Sequence, residues 1–116
     1  MAERTEAKYL LRTLPYDDWL MASVVFPPKS LTQRRLRSLL ELELLMEPNE
    51  KMFPSVRFTE LLPWIEEKVG DRVLAAALKP IAEDEHKSYI EKCLAMHNVI
   101  SERLRELSET QGEYNA

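Results

Sequence analysis

Both histidines, the single cysteine and a nearby glutamate fall at helical spacing in the C-terminal third of this 116-residue chain. Glu83 and His86 are three residues apart, and Cys93 and His97 are four apart. On a helix, either spacing sets two side chains on one face within reach of a common ligand. Such pairs could hold a transition metal, sense pH or redox state, or let His97 activate the Cys93 thiol. About 10 Å of helix would separate His86 from Cys93, so the two pairs cannot share one metal. Catalysis by Cys93 is disfavoured, because neighbouring acids raise a thiol pKa and a helix interior is a poor oxyanion site. A plainer reading competes with all of these. Glu83, Asp84 and Glu85 suit the first turn of a helix after Pro80, the histidines suit core or rim positions, and Cys93 suits a small buried hydrophobe.

The stretch Glu83-Asp84-Glu85-His86 resembles the Glu-x-x-His pair that ferritin-like di-iron bundles place on a helix. That resemblance implies carboxylates from other helices, for which Glu41, Glu43, Glu47 and Glu60 are available. It also implies a second such motif. The chain has only one, so the resemblance implies a site completed across a dimer.

A second cluster is basic. Lys29, Arg34, Arg35 and Arg37 gather near Ser30, where a helix N-terminus is expected. Free backbone amides and arginines together bind phosphate or a nucleic-acid backbone. Arginines at such a place also serve as solvated surface or as partners for glutamates on a neighbouring helix. The formal net charge of −4 argues against a generic nucleic-acid or anionic-membrane binder, so nucleic acid is not the expected partner.

The elements that would position these residues read as helices. Two glycines against abundant Leu, Glu, Arg, Lys and Ala favour helix over turn-rich β structure. The chain is expected to form an all-α, single-domain bundle of four or five helices over 1–116, with 109–116 a frayed tail. A first helix is expected over 3–13 and a second over about 15–25, ended by Pro27-Pro28. A third is expected from Ser30 to Glu47, with Ser30 and Gln33 at capping-box spacing and an Arg37–Glu41 pair on its surface. Its arginines sit near its positive end and its glutamates near its negative end, against the macrodipole. A fourth helix covers 56–69, with Gly70 ending it and Asp71 capping the next. After a break or kink at Pro80, a long helix over about 81–108 forms the spine. Its seam runs Glu83, His86, Ile90, Cys93, His97, Ile100, Leu104 and Leu107.

The spine and the third helix carry more apolar surface than a thin bundle hides, which marks an interface. Ile90, Ile100, Leu104, Leu107, Leu36 and Leu40 are the expected interface residues. One cysteine forms no internal disulfide, no apolar run is long enough to span a bilayer, and the charged N-terminus lacks a signal-peptide core. A cytoplasmic location is expected. Glycine-rich phosphate loops, HExxH, CxxC and serine-nucleophile motifs are all missing from the sequence. The favoured function is therefore a small interaction or assembly protein rather than an enzyme, a homodimer or a subunit bound to a partner protein, with no cofactor. The alternatives are a metal-binding bundle using Glu83, His86, Cys93 and His97, and anion contact through Lys29, Arg34, Arg35 and Arg37.

Overall fold

A computed structural model describes residues 4–27, 30–49 and 51–115. Helix α1 (Arg4–Leu10) is followed by a single 3-10 turn (Tyr16–Asp18). Strands β1 (Leu20–Phe26) and β2 (Ser30–Leu36) come next, then α2 (Leu39–Met46) and the short β3 (Phe53–Ser55). Helix α3 (Phe58–Pro63) runs on into a π-helical segment (Trp64–Val69). Helices α4 (Arg72–Ala82) and α5 (Tyr89–Asn115) complete the chain.

The all-α, helical-bundle expectation is overturned by an antiparallel sheet of order β2-β1-β3. The segment expected as the second helix is the 3-10 turn and β1, and the first half of the third is β2. Val24, Val25 and Phe26 favour a strand. Pro27 follows the strand's end, and β2 returns with Phe26 opposite Ser30 and Leu20 opposite Leu36. Ser30 therefore caps nothing. The helix begins after Ser38, whose hydroxyl accepts from the Glu41 backbone N–H at 3.3 Å. The shift relieves part of the unfavourable dipole, since Arg34 and Arg35 fall on β2 and Glu41 lies in the first turn of α2, while Glu47 remains at its C-cap.

Two further boundaries move. Pro80 lies inside α4 rather than breaking it. Pro80, two residues before the helix ends, and Ala76 are both exposed, so the carbonyl that loses its donor lies on the wet side. The spine starts at Tyr89 instead of 81. Ser88 and Glu91 form the capping box there: the Glu91 N–H donates to Ser88 Oγ at 3.2 Å and the Ser88 N–H to Glu91 Oε1 at 3.1 Å.

One apolar cluster joins sheet and helices. Helix α5 contributes Cys93, Met96, Ile100, Leu104 and Leu107 and packs against α1, α2 and α4. The sheet contributes Ala22 and Leu36, and α2 contributes Leu39, Leu42 and Met46.

Four polar ties fix this core. The Arg103 guanidinium grips Asp71 through both oxygens, at 2.8 and 3.1 Å, and both side chains are buried. Asp71 also caps α4 by accepting from the Leu74 N–H at 3.1 Å. Burial lowers the Arg103 pKa, but the hydrogen bonds and charge of Asp71 outweigh it and hold the guanidinium above its usual value. The Arg12 guanidinium donates to the carbonyls of Lys68 and Val69 where the π-helical segment ends. The Tyr89 hydroxyl donates to the Pro54 carbonyl at 2.8 Å and accepts from the Val56 N–H at 3.0 Å, tying the β3 region to α5. Trp64 Nε1 donates to the Asp18 carbonyl at 2.7 Å.

Candidate interaction surface

Among the described residues, strand β2 has one neighbour, β1, and forms an edge of the sheet. Six of its seven residues are exposed, and only Leu36 is buried. A strand in this position presents a row of backbone N–H and C=O groups with no protein partner on its outer side. The register places Arg34 opposite Ala22 and Thr32 opposite Val24, on the core-facing side of the sheet. Arg35 and Gln33 lie opposite Met21 and Ser23 on the other side.

Two concavities flank this edge. The first, about 230 Å³, has an apolar floor of Val24, Leu36, Leu44, Leu45 and Met52, with Arg34, Arg35 and Glu41 around it. The second, about 410 Å³, is lined by Trp19, Gln33, Arg34, Arg35 and Arg37. Tyr16 stands beside Trp19, with ring centroids 5.0 Å apart. Arg37 is committed elsewhere. Its Nε and NH2 bind both oxygens of Glu41 at 2.8–3.1 Å, as the i,i+4 spacing led one to expect. That contact holds the Glu41 carboxyl below the usual carboxylate range. Among the described residues, Arg34 and Arg35 form no ion pair. Lys29 lies outside the described residues.

A third groove, about 480 Å³, opens between the α2–β3 loop and α5. Its walls include Met52, Phe53, Ile90 and Leu94. Met52 lines both this groove and the apolar floor beside β2. Leu40 and Leu44 on α2 are each 56% exposed, and Ile90 and Leu94 on α5 are 44% and 43% exposed.

The expected interface residues divide. Leu40 and Ile90 are exposed, whereas Leu36, Ile100, Leu104 and Leu107 are buried in the chain's own core. Leu44, Leu94, Met52, Trp19 and Gln33 were not among the interface residues expected from sequence. Two of them carry a readable signal: Leu44 follows Leu40, and Leu94 follows Ile90, by four residues, off the buried stripe of each helix.

The metal-spaced residues fall in different settings. Glu83 follows the end of α4 and is exposed, as is His86 in the turn before α5. The Glu-x-x-His pair is therefore not on a helix, and the feature that resembled a di-iron bundle does not form. Cys93 is buried, with burial pushing its thiol pKa up. His97 Nε2 lies 3.4 Å from Ser101 Oγ. Among the described residues, no group of three or more His, Cys, Asp or Glu is placed to hold a metal ion. No described helix is long and apolar enough to cross a membrane.

The fold is thus an α+β domain with an open-edged antiparallel sheet laid against helices. The chain matches no protein-family model, no curated protein and no solved structure.

Proposed function

We propose that this chain is a protein-interaction module, an assembly component that holds another polypeptide at the β2 edge and the apolar grooves beside it. One observation carries the reading. A seven-residue edge strand lies open along a groove floored by apolar side chains. An open edge invites pairing, and the two arginines on this one restrict it to partners that answer their charge. Strand addition there satisfies the outer backbone groups, and burial of Leu40, Leu44, Ile90 and Leu94 supplies the hydrophobic part. The mechanism is binding, with the helical core as a rigid support.

Photo-crosslinking in the native cells tests this. A photoreactive residue replaces Thr32 on β2, Leu44 on α2, or Val73, which is 61% exposed on α4. Discrete polypeptide adducts from positions 32 and 44, and none from 73, are expected. Equal yields at all three positions, or no adduct at 32 and 44, would overturn the proposal.

A further inference from the structure

The charge and shape around β2 also define what sits there. We infer that the β2 edge receives an extended segment of a partner protein in which acidic and apolar side chains alternate. This rests on the interaction reading above and adds the chemistry of the partner.

A strand added to β2 turns successive side chains to opposite faces of the sheet. On the core-facing side they meet the floor of Val24, Leu44, Leu45 and Met52, which takes apolar groups. On the other side they meet Arg35 and Gln33, which take carboxylates. Arg34 stands on the groove side and can reach a carboxylate at its rim. Arg37 adds no free charge, being held by Glu41 at 2.8 Å.

Other occupants fit less well. A second copy paired through β2 would gather four arginines at one seam, with like charges as near neighbours. A nucleic-acid strand has no apolar side chains for the floor. The chain's formal net charge of −4 also works against it. A short peptide places a few carboxylates where the arginines are and nothing charged elsewhere.

The test uses three capped seven-residue peptides, matching the length of β2, in which valine alternates with glutamate, lysine or threonine. Each is fluorescein-labelled and followed by anisotropy against the full chain. A version N-methylated at alternate residues, unable to pair as a strand, accompanies each. The glutamate peptide is expected to bind tightest, to weaken with salt, and to lose binding on N-methylation. The exposed double variant Arg34→Glu/Arg35→Glu is expected to weaken it about tenfold. Leu31→Pro, which removes an outward-facing strand donor, is expected to weaken all three peptides. Equal binding of all three, still sensitive to N-methylation, would overturn the acidic partner and leave the interaction reading standing. No binding of any peptide would overturn both. A dimer in sedimentation equilibrium that Leu31→Pro dissociates would hand the edge to a second copy instead.

Discussion

Removing the guanidinium of Arg103 should cost this protein much of its stability. Asp71 is 1% exposed and Arg103 7%, and their side chains meet through two hydrogen bonds. Arg103→Met keeps most of the apolar stem but leaves a buried carboxylate without its cation. Breaking a buried pair in this way costs about 3–5 kcal/mol. At about 2.1 cal/mol/K per residue, unfolding 116 residues carries about 0.24 kcal/mol/K, so the melting temperature should fall by about 12 °C or more. Asp71→Ala should cost about 1 kcal/mol beyond that, because it also removes the cap on Leu74. The double variant Asp71→Ala/Arg103→Met buries no unpaired charge. It should be more stable than either single variant, about 1–2 kcal/mol below the parent for the lost cap and a small cavity. Glu106→Gln is the control. Its carboxylate also touches Arg103, at 3.1 Å, but is 48% exposed, and should contribute less than about 0.5 kcal/mol. Urea unfolding of the four variants closes the cycle. Single-variant losses that add within about 0.5 kcal/mol in the double would refute the coupling, as would a loss below about 1 kcal/mol for Arg103→Met.

Three further outcomes follow from the same geometry. Gly70 sits at φ +92°, and an added Cβ would lie 3.2 Å from the Tyr9 ring; Gly70→Ala should lose about 1–2 kcal/mol in urea unfolding, and a neutral result would contradict the left-handed turn. Tyr89→Phe removes the acceptor of the buried-side Val56 N–H and the donor to Pro54, so a loss of about 1–2 kcal/mol is expected, with faster hydrogen exchange at Val56 as the local readout. The Arg37 contact depresses the Glu41 pKa in the folded state. Its stabilisation is therefore present above the ordinary carboxylate range and is lost as pH falls through the lowered value. Glu41→Gln should flatten the acid limb of the stability–pH curve, and an unchanged acid limb would show that the pair contributes nothing.

The sequence spoke clearly where the signal was local. Gly70 and Asp71 announced a helix end and the next cap because both roles depend on neighbours in sequence. Arg37 and Glu41 meet at their i,i+4 spacing, although Arg37 lies before the helix rather than inside it. The buried face of α5 from Cys93 to Leu107 follows the expected period, with Met96 taking the inward place given to His97. The sheet was hidden for a physical reason. Strand β2 is exposed on both faces, so it shows no apolar alternation, and its Leu, Gln and Arg residues are good helix formers. Tertiary pairing with β1 overrides that preference. Ser30-x-x-Gln33 mimicked the capping box that Ser88 and Glu91 form. The Asp71–Arg103 tie joins residues 32 apart, a separation that single-sequence spacing does not report. The arginine cluster was visible, but its setting beside Trp19 and an apolar floor required the fold.

The unequal division of packing along the β1–β2 hairpin has a further consequence. Residues 30–35 contribute no buried side chain, while Leu36 locks the end of β2 into the core. The scaffold therefore places almost no restriction on which side chains occupy those six positions, beyond the ability to lie extended. Such a strand can drift or be rewritten while the fold stays as it was, since surface substitutions of this kind usually change stability by no more than about 0.5 kcal/mol. The hairpin is a replaceable label on a fixed body, and a new partner could be acquired by exchanging six residues.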